Sequence, residues 1–239
     1  MNFIKAELFR FSRKKVFYIA FLGLVCLALF FCKTIEADDA GMVVKASLTY
    51  GTAVIPILFV PIYLQIWQAD FASRFINNIL VSGMSRVHYY FGKLLMMYLF
   101  GEVLALIYGF SVLIFSYCLK GEFLIGEYLK AIAVQNLLYL VVMAVGLMIY
   151  IVVDVAALST AVYLLFILLF ENLVSALLKQ MHINIEKISS YMIMQNLTKA
   201  VSVVNLQKNE IYPMLISGIV LWIISVGISV FLLKEREYK

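Results

Sequence analysis

The sequence predicts an all-α polytopic membrane protein with six transmembrane helices and both termini in the cytoplasm. Three observations carry that reading. Of 239 residues, 64% are hydrophobic and 14% charged, against roughly 45–50% and about 25% in an average soluble chain. The apolar excess falls in blocks of the length a helix needs to cross hydrocarbon, about 20 residues. The basic residues gather on alternate sides of those blocks, which sets the orientation.

The blocks are residues 16–32, 47–67, 94–119, 130–153, 155–178 and 213–233. What remains is too short for a separate soluble domain of ordinary size, so residues 1–239 read as one transmembrane domain. Lys5, Arg10, Arg13, Lys14 and Lys15 precede the first block, Arg74, Arg86 and Lys93 lie between the second and third, and Lys234, Arg236 and Lys239 follow the sixth. These eleven define the cytoplasmic side, and every arginine is on it; the eight remaining lysines, Lys33, Lys45, Lys120, Lys130, Lys179, Lys187, Lys199 and Lys208, fall on the other, four of them in or beside the long loop before the sixth span. The formal charge of +5 is accounted for by these helix ends, so no nucleic-acid partner is inferred.

Before the first span, Ile4, Leu8 and Phe11 recur at helical spacing while Lys5, Glu7 and Arg10 take other faces, the pattern of a short helix lying in the membrane interface. The first span follows Arg13-Lys14-Lys15 as the core of a signal peptide would, but Lys33-Thr34-Ile35-Glu36 offers no small-x-small cleavage pattern, and a retained anchor is expected. The second span carries Pro56 and Pro61. Each lacks an N–H and collides with the preceding turn, so the helix should be kinked or locally opened there, for packing or for gating.

Residues 69–93 connect spans two and three. Phe71, Phe75 and Ile79 stand four apart and build an apolar stripe, while Asp70 and Arg74 are spaced as an i,i+4 acid-to-base pair on the exposed side. Ser82-Gly83-Met84-Ser85 then breaks the helix before Arg86 and the basic approach to span three. Spans four and five are separated by little more than Asp154 and form a helical hairpin. Ala156 with Thr160, Ala157 with Ala161, and Ser225 with Ser229 place small residues four apart for close helix approach. The loop of residues 179–212 is long for a connection, and residues 188–201 are apolar on one side yet too polar to span, so one or two short helices are expected in the outer leaflet or over the bundle. Pro213 then opens span six.

Several chemistries are excluded. A P-loop needs G-x-x-x-x-G-K-[ST] so that backbone amides and lysine can cradle phosphates; the one Gly-Lys step, Gly92-Lys93, has Val87 and Leu94 at the required flanks. The chain therefore has no nucleotide site or cofactor of its own. Cys26, Cys32 and Cys118 form no close pair, and His88 and His182 fall on opposite sides of the bilayer, so neither a metal site nor a catalytic residue is assigned. Ionisable groups inside spans are costly and carry functional weight by default. Glu102 stands roughly 12 Å into span three at about 1.5 Å per residue; interhelical hydrogen bonding and a place on a substrate path or gate are both open to it. Glu171 is a further path or gate candidate, although it and the Gln135-Asn136 pair also lie close to the outer interface.

This arrangement resembles the ABC-2 type permease family. Asp70-Phe71, Ser85-Arg86 and Lys93 look like the acid-aromatic step, the Ser-Arg turn and the lysine that the family shows between spans two and three. Asp70 stands where the family often has Glu, and Asn77-Asn78 where it has a Gly-Thr step. The resemblance implies two permeases, a second copy or a paralogue, pairing with two cytosolic ATPase subunits that bind the ATP and magnesium. Residues 70–79 would be the coupling helix, with Asp70, Phe71, Arg74, Phe75 and Arg86 facing the ATPase, and spans one, two and five would line the dimer interface and substrate route. Stand-alone chains of this size resemble exporters of bacteriocins, lantibiotics or other amphipathic peptides in a bacterial cytoplasmic membrane, in export or self-immunity. An ion-coupled secondary carrier and a non-transporting interaction or sensor subunit are the alternatives.

Overall fold

A computed structural model describes residues 2–37, 39–72, 83–153, 155–181, 191–202 and 208–235, and among them there is no strand. In chain order the helices are α1 (Asn2–Ser12), α2 (Lys15–Thr34), α3 (Ala40–Gln68), α4 (Arg86–Lys120), α5 (Ile125–Val152), α6 (Ala156–Gln180), α7 (Ile193–Ala200) and α8 (Lys208–Glu235). A further turn, Ala69–Ala72, continues α3. Six of these, α2 to α6 and α8, are long and apolar enough to cross a bilayer.

Two spans begin well before their apolar blocks because polar caps fix their starts. The Asp39 carboxylate accepts the Gly41 N–H at 3.0 Å and starts α3, and the Ser85 hydroxyl accepts the His88 N–H at 3.2 Å and starts α4. Gly121, at φ +100°, closes α4 with its N–H on the Tyr117 carbonyl at 3.1 Å. At 35 residues, α4 is about 52 Å long, well over the hydrocarbon thickness of about 30 Å. Its first turns can therefore carry charge outside the apolar layer.

The proline expectation for span two is met as a local opening. α3 is interrupted at Phe59, whose N–H turns back to the Pro56 carbonyl at 3.1 Å; Val60–Tyr63 restarts the helix with Pro61 in its first turn, and Leu64–Gln68 forms a wide π turn. α6 has the same device at Phe166–Phe170. A ladder of tyrosine hydroxyls on α3 carbonyls ties the interrupted helix to its neighbours. Tyr128 donates to Gly41 at 2.8 Å, Tyr108 to Ser47 at 2.6 Å, Tyr139 to Gly51 at 3.4 Å, and Tyr163 to Pro56 at 3.0 Å beside the opening. In hydrocarbon, backbone polar groups must be satisfied within the protein, and these tyrosines supply both apolar bulk and the donor. Close approach depends on small residues: a Cβ on Gly146 would collide with Tyr63 and Tyr163, and one on Gly51 with Tyr108.

The helix α5 is the hub. It packs against α8, α4, α7, α6 and α3, and 67% of its most apolar window is buried, against 22% in α2 and 17% in α6. Those last two helices leave most of their surface free. Of the small-residue pairs, Ser225 and Ser229 are buried and Thr160 turns to α5, its hydroxyl 2.8 Å from that of Tyr150, whereas Ala157 and Ala161 are exposed. α1 departs from its expected stripe. Phe11 is buried against Phe100, with ring centroids 4.0 Å apart, while Ile4 and Leu8 stay exposed and the polar residue on the buried face is Glu7.

Candidate functional site

Three segments distant in sequence meet where α1, the turn Ala69–Ala72 and the start of α4 come together. Each contributes charge from one helical face: Glu7 and Arg10 at i,i+3 on α1, Asp70 just beyond α3, and Tyr89 and Lys93 at i,i+4 on α4. Arg10 Nη1 reaches Asp70 Oδ1 at 2.7 Å and Nη2 reaches Glu7 Oε2 at 2.9 Å. Lys93 Nζ lies 2.8 Å from Glu7 Oε2 and also pairs with Asp70 Oδ2. The Tyr89 hydroxyl donates to Asp70 Oδ2 at 2.8 Å, and the ammonium of Lys93 sits 5.4 Å from the centre of the Tyr89 ring. Trp67 packs its ring against Tyr89, with centroids 5.8 Å apart.

Asp70 and Lys93 are fully buried, Glu7 nearly so, and Arg10 half-buried. Partial burial pulls the Arg10 pKa down, but the bond to Asp70 and the nearby acids outweigh it, so the guanidinium is held above its ordinary value. Two acids and two bases cancel, and cancellation is what makes burial tolerable: an unpaired buried ion is penalised by several kcal/mol. Such a cluster fixes the relative placement of three helices at once.

The placement corrects one expectation. Asp70 does not face solvent as the acid of an exposed helical pair; it is 0% exposed and its cations come from residues 60 positions before it and 23 after. Arg74, Phe75 and the rest of residues 73–82 lie outside the described residues, and so do the expected coupling helix and the side chain of Phe71. Arg86 is described, and its guanidinium donates to the carbonyls of Leu233 at 3.1 Å and Lys234 at 2.9 Å. It thereby satisfies the last turn of α8, where carbonyls are left over and the helix dipole favours a cation.

At the opposite end of the bundle, Glu171 is buried. Its carboxylate accepts the N–H of Met194 at 2.9 and 3.0 Å and that of Gln195 at 3.0 Å, capping α7. Gln195 Nε2 donates to Ser175 at 2.7 Å. On its other faces α7 is held by Gln135 Nε2 on the Leu197 carbonyl at 3.3 Å and by Asn196 Nδ2 on Ser217 at 3.3 Å, with Ile193, Leu197 and Ala200 buried. The short helix expected over the bundle is therefore seated in its end, between α3, α5 and α8.

Pro56 and Pro61 flank the opening in α3 described above. Glu102 is the exception among the acids in spans. Its Oε1 is buried with no hydrogen-bond partner, and among the described residues no cation pairs with it. Glu7, Arg10, Tyr89 and Lys93 were not anticipated as a site; the available signal was Glu7, the lone acid in the first 35 residues of a basic flank. Among the described residues no cluster of His, Cys, Asp and Glu is arranged to hold a metal.

A family model described as ABC-2 family transporter protein matches residues 3–160. The matched stretch contains every member of the charge cluster, α1 to α5 and the start of α6. No curated protein matches the sequence.

Proposed function

We propose, from the premise that the chain belongs to the ABC-2 transporter family, that it is the permease half of an exporter driven by ATP hydrolysed on a separate subunit. Members of this family are multi-pass membrane subunits that partner an ABC ATPase and are not themselves catalytic. In the proposed complex the ATP and magnesium belong to cytosolic ATPase subunits, a second copy or a paralogue of this chain completes the pathway, and the charge-cluster end with both termini faces the cytoplasm of a bacterial cell. The cargo is apolar or amphipathic, of the peptide, toxin or drug kind, with bacteriocin or lantibiotic export or self-immunity as the biological setting.

The observation that supports this most is the charge cluster. Asp70 lies in the turn that continues α3 and is bound to α1 and α4 together. A push delivered to the segment after Asp70 would therefore reach three helices as one body, which is what a rigid-body rocking mechanism requires. Phe71 and Phe75 follow at the spacing of a helix-in-groove contact. Exposed α2 and α6 offer the surface for a second permease.

The test is a Phe71→Ala, Phe75→Ala double variant of the full chain with its ATPase. Transport and stimulation of the ATPase should both fall while membrane insertion is retained, and unchanged coupling would overturn the assignment. The unpaired carboxyl of Glu102 is the one feature favouring an ion-coupled carrier instead. Transport that persists after proton and sodium gradients are collapsed rules that reading out.

A further inference from the structure

α1 ends at Ser12 and α2 begins at Lys15, so Arg13 and Lys14 form an elbow between a helix held to the bundle and a helix that can cross a bilayer. The two sides of this region carry charge differently. Inward, Glu7 and Arg10 are taken up by the cluster with Lys93 and Asp70. Outward, Lys5, Arg13, Lys14 and Lys15 are all exposed, and among the described residues none of them has an ion pair. Glu7 is the one acid before Glu36, and it is buried. The small cleft beside Lys14 is walled by Leu58, Pro61, Ile62 and Gln65 of α3 and by Leu104 of α4, so these neighbours bring no acid to it.

The residues that follow the elbow set its depth. Val16, Tyr18 and Ile19 are 38%, 59% and 69% exposed, as side chains of α2 must be where they meet hydrocarbon. At about 1.5 Å per residue, Lys14 and Lys15 stand within roughly 8 Å of Ile19 along the helix, which is headgroup depth rather than open water. Tyr18 is an aromatic of the kind enriched at that boundary. The Arg13 guanidinium lies 4.1 Å from the centre of the exposed Phe9 ring, an apolar body beside a charged tip. Orientation of the chain needs basic residues on one side of a span; it does not need them adjacent, without acids and at the level of the phosphates.

We propose that the α1–α2 elbow is a docking surface for anionic phospholipids, whose headgroup phosphates meet Arg13, Lys14 and Lys15. Charge complementarity selects the partner. Three consecutive cations with no acid beside them match a headgroup of net negative charge, whereas the phosphate of a choline lipid already has an ammonium of its own. α1 grips the charge cluster with its other face, so headgroups held at the elbow also steady Glu7 and Arg10 against Lys93 and Asp70. The surface goes beyond the permease reading and requires only that α2 crosses a bilayer.

The experiment titrates the full chain in neutral detergent with palmitoyl-oleoyl phosphatidylglycerol and with the matching phosphatidylcholine, and counts bound lipid by native mass spectrometry. The first phosphatidylglycerol should bind at least about fivefold more tightly than phosphatidylcholine, and the preference should shrink as salt screens the charges. Arg13→Gln combined with Lys14→Gln should bring the two lipids to within about twofold of each other. Lys120→Gln combined with Lys130→Gln, which alters exposed lysines at the other end of the bundle, should leave the preference as it is. Equal affinity of the wild type for the two lipids overturns the surface, and that result needs no variant to fold. A preference that survives the elbow substitutions places the anion elsewhere and overturns it as well. Glycerophosphoglycerol, the same headgroup without its chains, should not displace the lipid at equal concentration; if it does, the occupant is a soluble phosphate and the proposal fails. None of these outcomes bears on the Phe71 and Phe75 coupling test, whose failure would leave the lipid result intact.

Discussion

The two ends of the bundle are held by different chemistry. At the α1 end, four formal charges on three segments lock to one another side chain to side chain. At the α7 end, one carboxylate holds two backbone amides, and neutral amides and hydroxyls do the rest. Breaking a buried pair leaves an ion with no water, so the first end resists parting. Hydrogen bonds to amides and hydroxyls contribute about 1 kcal/mol each and can be exchanged for water, so the second end can open at modest cost. A machine that is pushed at one end and must part at the other would be stiffened and loosened in that order.

Variants can break that contrast, and the largest effect is expected at the charge cluster. Lys93→Met leaves Glu7 and Asp70 to share Arg10, one buried negative charge in excess, and should cost on the order of 3–5 kcal/mol, read as a large drop in thermal stability. Pairing it with Asp70→Asn should restore part of the loss, because Arg10 and Glu7 still neutralise each other. A Lys93→Met chain as stable as wild type would show that the ion pairs do not hold this end.

Glu171→Gln should cost about 1–2 kcal/mol through its cap. Hydrogen exchange should speed up at Met194 and Gln195 while the amides of residues 89–97 stay as protected as before. Acceleration at both ends would mean that the ends are not independent. Tyr163→Phe removes the hydroxyl from the Pro56 carbonyl and should cost about 1 kcal/mol, seen as a small fall in melting temperature. Glu102→Gln breaks no bond within the described chain and should change stability by less than about 1 kcal/mol; a large loss would expose an internal partner.

The spans were legible in the sequence because apolar blocks of bilayer length have few other readings, and the opening in α3 was legible because proline removes a donor wherever it stands. The roles of the acids were not. Helical spacing offered Asp70 a partner at Arg74, whereas its described cations come from Arg10 and Lys93, and no local rule connects residue 70 to residue 10. Glu171 was equally opaque, since it binds main-chain amides 23 and 24 positions later, and every residue has a main chain. The buried face of α1 was misjudged because Glu7 is there on account of Lys93, 86 positions away. Glu102 could be singled out because its environment is apolar on every scale of the sequence, but that it lacks a bond could be seen only once its neighbours were placed.

The wide turns in α3 and α6 have a geometric consequence. Leu64–Gln68 ends two residues before Asp70, and Phe166–Phe170 ends immediately before Glu171, so each end-holding acid is preceded by a turn containing an extra residue. Such a turn takes up its extra residue by widening, so the helix beyond it keeps nearly the phase it would have with one residue fewer at regular pitch. If the same residues were drawn into regular pitch, everything beyond would swing by about 100°. The Asp70 carboxylate would then leave Arg10 and Lys93, and Glu171 the amides of α7, whereas deleting Ile66 or Ile167 together with the widening should leave each acid near its present bearing. The aim of each acid is thus stored in the width of a single turn.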